Sequence, residues 1–178
     1  MAVFKEYEHN PPHLFVEYSK YFFTGATYLR RHYFRTDKAK NRLLYSIRKG
    51  FEDSNWSLED WVILDNHYHI MVDSKNQNSN LSKIIQDIHK FTAIWLNKYD
   101  NLYGRRVWFN YWDKCISYES SYFSRLNYIW YNPVKHGYCQ YAEDYAFGSF
   151  SQRLLEDAEY MEQIRIKFPF DKLDVFDV

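Results

Sequence analysis

The sequence predicts an α+β protein of the ferredoxin-like, split βαβ kind: an antiparallel sheet with its helices on one face, plus an added C-terminal helix that carries a tyrosine. Three observations predict it. Strand-like and helix-like segments follow one another in the order β-α-β-β-α-β. Residues 81–98 place Leu81, Ile84, Ile85, Ile88, Phe91, Ile94, Trp95 and Leu96 at a spacing near 3.6, the period of an amphipathic helix. Residues 61–74, WVILDNHYHIMVDS, form an apolar run broken by two histidines one residue apart.

The elements follow in order. Residues 1–13 are polar, contain Asn10-Pro11-Pro12, and read as a loose entry. Residues 14–29 are rich in aromatic and β-branched side chains and read as a strand bent near Gly25. Thr36 or Asp37 caps a helix over residues 38–49, with Leu43, Leu44 and Ile47 inward and Gly50 as its end. Residues 58–64 and 67–73 pair as strands across the turn Asp65-Asn66. After a polar loop, SKNQNSN, comes the helix over 81–98, then a basic turn at 101–106 and a short strand at 113–117. A last helix over 119–132 is stopped by Pro133. Residues 1–150 form one domain, and 151–178 are an acidic C-terminal tail with no assigned role.

At 178 residues and 46% hydrophobic, the chain suits one domain with a full core, and low glycine and proline argue against disorder. Cys115 and Cys139 have no Cys-x-x-Cys spacing, which fits a reducing compartment. With no signal-peptide layout and no apolar run of membrane length, a cytoplasmic protein without a membrane partner is expected. Net charge is zero but unevenly spread. From Arg30 to Lys49, eight basic residues face one acidic residue, a local charge of +7, whereas Glu156 to Val178 carries −4. Such a basic stretch can track a phosphate backbone or be a solvated helix face.

In a strand, side chains alternate faces, so His67 and His69 project to the same side, as a metal ion requires of a rigid scaffold. A solvated strand face is the plainer reading of the same pattern. On the last helix Tyr128 and Asn132 lie four residues apart, nearly on one face. An amide oxygen there can complete a cation site begun by the histidines, with a phenol beside it. That combination suits phosphodiester cleavage by a tyrosine nucleophile. Tyr128 can equally be a core aromatic, and Asn132 a helix-end residue. His136 reads as part of a turn. Trp108 and Trp112 can stack on bases, with core packing the better reading for at least one.

The segments DNHYHIMV, LSKIIQDIHKFTAIWLN, RRVWFNYWDKCI and YIWYNPVKHGY, in this order over residues 14–150, resemble the single-tyrosine HUH (IS200-like) transposases, most closely their REP-associated branch. The family's histidine-hydrophobic-histidine pair falls on His67, Tyr68 and His69, its tyrosine on Tyr128, and its polar residue one turn on at Asn132. Tyr68 is larger than the usual middle residue, and His89 stands where lysine is often found. The resemblance implies a ferredoxin-like enzyme that binds a hairpin in single-stranded DNA, uses Mg²⁺ or Mn²⁺ held by His67, His69 and Asn132, and forms a 5′-phosphotyrosine intermediate on Tyr128. Arg30, Arg31, Arg35, Lys38, Arg42, Arg105, Arg106 and Arg125 are the candidate nucleic-acid contacts. A monomer or homodimer acting as nickase and strand transferase is expected. The alternatives are a non-catalytic hairpin-binding module on the same fold and a metal-dependent hydrolase of another class. For the latter, the sequence offers no His-Glu-x-x-His, phosphate loop or serine elbow.

Overall fold

The computed structural model describes residues 19–74, 80–169 and 173. Strands β1 (Lys20–Thr27), β2 (Trp56–Ile63), β3 (His67–Ser74) and β4 (Trp108–Ile116) form one sheet in the order β2-β3-β1-β4, and every pairing is antiparallel. Helices α1 (Asp37–Glu52) and α2 (Leu81–Tyr99) cover one face, while α3 (Glu119–Lys135) and α4 (Phe150–Lys167) cover the other. This is the expected ferredoxin-like α+β arrangement with the added helix in place.

Period-two alternation sorts the strand side chains between two cores. Tyr21, Phe23, Ile63, Tyr68, Ile70 and Val72 face α1 and α2. Phe22, Val62, Leu64 and Met71 face α3 and α4. Tyr68 lies over β1 at its register partner Gly25, where an added Cβ would stand 2.2 Å from the tyrosine ring. The phenol then reaches His89 Nε2 at 2.9 Å.

Four boundaries differ from expectation, each for a physical reason. Thr36 caps α1 by accepting from Ala39 N at 3.2 Å, but Gly50 does not end the helix. It is a contact glycine: a Cβ there would press to 3.1 Å from Ile88 of α2, so its missing side chain lets the helices approach. Strand β4 begins at Trp108, five residues before the expected 113, because a register shift opposite Gly25–Thr27 breaks the alternation. Trp108 and Tyr111, three apart, both pack toward α1 and α2. Pro133 lies inside α3, whose real end is Gly137 at φ 72°. Tyr138 N donates to Pro133 O and Gly137 N to Val134 O, the Schellman closure of a helix. Residues 151–167, unassigned from sequence, continue α4, which is kinked at Asp157. The expected entry at 1–13, residues 14–18 of the first strand, and 75–79 of the polar loop lie outside the described residues.

The second layer hangs from Asp60, which is fully buried on β2. Its carboxylate accepts from Trp130 Nε1 of α3 at 2.8 Å, from Ser149 Oγ at 2.8 Å, and from the Arg153 guanidinium of α4 at 2.9 Å. Asn127 adds bonds to the carbonyls of Ile164 and Phe168. No helix among the described residues is long and apolar enough to cross a membrane.

Two stability predictions follow from these buried groups. Asp60→Ala leaves an indole, a hydroxyl and a guanidinium without their acceptor; it should lower the unfolding free energy in urea by about 2 to 4 kcal/mol, discounted because Arg153 is one-third exposed. His89 is half-buried and stacked on Trp108 at 4.2 Å, and desolvation there depresses its pKa to about 3. The unfolded chain therefore takes up this proton first. The contribution of His89 is whole above about pH 6.5 and is lost progressively as pH falls toward 3. His89→Gln should flatten that decline by at most about 1.4 kcal/mol per pH unit, measured by urea unfolding at pH 4, 5, 6 and 7.

Candidate active site

His67 and His69 sit on β3 with their rings 5.1 Å apart on the face toward α3. They are 3% and 0% exposed. Each ring is held by its Nδ1: Asn66 Oδ1 lies 2.7 Å from that of His67, and Thr24 Oγ1, on the cross-strand register partner, lies 2.8 Å from that of His69. An amide oxygen only accepts, so His67 Nδ1 carries the proton and Nε2 presents a lone pair. Burial, then the neighbouring His69, His136 and Arg30, hold the His67 pKa well below the usual histidine range, so the ring is neutral at pH 7.

Helix α3 brings its own pair to this face. Tyr128 is fully buried, its ring edge-on to His69 at 5.1 Å and to Phe22 at 6.3 Å. Asn132, one turn on and equally buried, lies beside His67. The Asn132 amide is the hydrogen-bonding neighbour of the His67 ring, yet neither it nor His67 Nε2 has a well-formed hydrogen bond. Buried polar atoms without partners cost about 1 to 3 kcal/mol each, so a cluster of them facing one another is a place prepared for something else. Two imidazoles and an amide oxygen fit a divalent cation that takes its remaining ligands from water or phosphate. Among the described residues no group of three or more His, Cys, Asp or Glu side chains gathers as a metal site.

Three neighbours went unrecognised in the sequence. Lys135 donates from Nζ to Tyr128 Oη at 3.1 Å and lies 4.6 Å over its ring, its pKa lowered by burial. Its signal was the seven-residue spacing to Tyr128, two helical turns, hidden by ending the helix at Pro133. His136, read as a turn residue, caps α3 with its ring 4.9 Å from that of His67. Thr24 had no local signal; only the β1–β3 register reveals it.

The candidate basic residues are not gathered on one surface. Arg30 acts electrostatically on His67 and His136. Arg125 lies over the Phe22 ring at 5.7 Å and bonds Ser121. Arg106 is sandwiched between Tyr28 and Phe109. Arg105 is committed to Asn97 and Asp100. Arg31 and Arg35 are exposed between β1 and α1. Lys38 and Arg42 belong to α1, where they lie over Tyr99 and Tyr45, on the far side of the sheet from the histidines. Lys40, part of the +7 stretch, is buried and paired with Asp65 at 2.8 Å.

A paired-histidine strand beneath a tyrosine-bearing helix on a ferredoxin-like sheet is the frame of a tyrosine transposase. The family model described as "Transposase IS200 like" matches residues 15–127, and the chain belongs to that family of enzymes. The match contains His67 and His69 and ends one residue before Tyr128. The chain is 25% identical over 147 residues to the REP-associated tyrosine transposase of Escherichia coli (strain K12), covering 75% of this chain and 82% of that protein. A solved REP-associated tyrosine transposase, bound to a REP hairpin, superposes with a TM-score of 0.69 at 23% identity, over 92% of this chain and 90% of the other, a likeness of fold.

Calorimetric titration of the DNA-free protein with Mn²⁺ should show one binding event that disappears in His67→Ala and His69→Ala. Thr24→Val, which removes only the hydroxyl orienting His69, should weaken it by roughly 10- to 100-fold.

Proposed function

We propose that this transposase is a single-stranded DNA endonuclease and strand transferase that recognises a hairpin and cleaves through a 5′-phosphotyrosine on Tyr128, with Mg²⁺ or Mn²⁺ held by His67, His69 and Asn132. The observation that carries this reading is the Tyr128 phenol, set against His69 and bonded by Lys135, one turn from the Asn132 amide, which faces His67 without a well-formed hydrogen bond. The similarity to a transposase solved with a REP hairpin supports the substrate class.

Lys135 holds Tyr128 Oη and supplies positive charge where the scissile phosphate must arrive. Tyr128 Oη attacks phosphorus, the P–O3′ bond breaks, and the phenolic proton is balanced by protonation of the departing 3′ oxygen. When bound, the cation polarises the phosphate and offsets charge on the leaving oxygen. Asn66 keeps His67 in the tautomer that presents Nε2, and Thr24 fixes the orientation of the His69 ring. Rejoining reverses these steps with another 3′ hydroxyl. Because Tyr128 is fully buried, a phosphate reaches Oη only when the packing around the phenol opens. That closure is also what favours the second reading, a hairpin-binding module without turnover.

Incubation with a labelled hairpin oligonucleotide and Mn²⁺ should give a protein–DNA adduct that survives denaturation. Tyr128→Phe, His67→Ala and His69→Ala should abolish adduct and nicking while hairpin binding persists. Lys135→Met should slow adduct formation by about 10- to 1000-fold, the scale on which a single stabilising donor acts. An adduct formed by the Tyr128→Phe protein would reassign the nucleophile; tight binding without any cleavage would favour the binding module.

A further inference from the structure

Resting on the single-stranded DNA reading above, we propose that Tyr28, Arg106, Phe109 and Trp112 form a stacking track for the unpaired bases flanking the cleavage site. The four side chains follow one another in space: the Arg106 guanidinium lies 4.5 Å from the Tyr28 ring and 5.8 Å from the Phe109 ring, and Phe109 stands 6.0 Å from Trp112. The row leads to the candidate active site, since Trp112 is the register partner of Thr24, whose hydroxyl bonds His69.

The register shift in β4 creates the row. With strict alternation, residues 109 and 112 would lie on opposite faces of the strand. The shift sends Trp108 and Tyr111 together to the α1/α2 core and leaves Phe109 beside Trp112. β4 is an edge strand, and Phe109 keeps 50% of its surface in solvent there. At the far end, the turn Tyr28–Arg30 has Leu29 and Arg30 both at φ 53°, a left-handed pair of non-glycine residues. The turn is fixed by Tyr28 N donating to Val107 O at 2.8 Å and Thr27 Oγ1 to Arg31 O at 2.7 Å, which aims Tyr28 at Arg106. Rings interleaved with a guanidinium suit a strand of bases joined by phosphates. Every base has a face to stack, and the cation answers the backbone charge.

The test uses Tyr128→Phe protein, so that binding is read without cleavage. Its ligands are a blunt hairpin, the same hairpin with a 5′ or a 3′ single-stranded flank, and flanks made of abasic residues. Phe109→Ala should weaken binding by about 5- to 100-fold with at least one base-bearing flank, and leave blunt and abasic ligands within about twofold. Arg106→Met should reduce the log–log salt slope by about 0.7 on that flank. 2-Aminopurine in the flank should be quenched on binding, and Phe109→Ala should relieve it. Thermal melting should confirm an unchanged fold, because Phe109 is half exposed. Equal losses on blunt and flanked hairpins, or no loss on either flank, overturn the track. If unsubstituted protein forms no adduct but these flank-dependent losses remain, the track stands and the nuclease reading falls.

Discussion

A single buried carboxylate sets the geometry of the whole α3 face. Asp60 is fully enclosed, and an ionised group there is tolerated only because an indole, a hydroxyl and a guanidinium converge on it. Those donors come from α3, from the residue preceding α4, and from α4 itself, so one charge ties two helices to β2. Trp130 is two residues from both Tyr128 and Asn132, and its bond to Asp60 fixes the rotation of α3 about its own axis. Turned by one residue, about 100°, the helix would aim neither side chain at the histidines. The strand supplies the imidazoles, but the carboxylate one strand away decides what meets them.

Much of this was legible in the sequence because the relevant periods are short. Alternation in β3 places His67 and His69 on one face, and 3.6-residue spacing in α2 and α3 places their apolar and polar sides. Capping of α1 by Thr36 was readable from residue type alone. What was hidden depended on partners distant in the chain. Gly50 looked like a terminator because nothing local announces the approach of α2. Pro133 looked like a stop because the Schellman closure at Gly137 lies beyond it, and ending the helix there concealed Lys135. The +7 stretch looked like one surface, yet Lys40 is internally paired and Lys38 and Arg42 face away from the histidines. Thr24 required strand register, and the role of residues 150–167 required Asp60.

The two faces of the sheet differ in what they demand of their side chains. The α1/α2 face is closed by interdigitating apolar groups, and Thr92 within it is satisfied by Trp108 Nε1 and the Ile88 carbonyl. The α3 face buries the Asn132 amide and His67 Nε2 without well-formed hydrogen bonds and keeps a phenol under a lysine. Burial there shapes reactivity, and the fully packed face offsets what the other loses in stability.

The contact between Tyr68 and Gly25 reaches beyond packing. The residue between the two histidines crosses β1 where no Cβ stands and ends at His89 on α2, so positions 25, 68 and 89 act as one unit, although 64 residues of chain separate the first from the last. A histidine motif transplanted from a relative with a smaller middle residue would leave a void over β1 and strip His89 of its bond to the phenol. A bulkier residue at 25 would evict Tyr68 and tilt the strand that holds both imidazoles. Exchange of parts between this chain and its relatives is therefore constrained to triplets, and a recombination boundary that falls between β1 and α2 divides a single mechanical element.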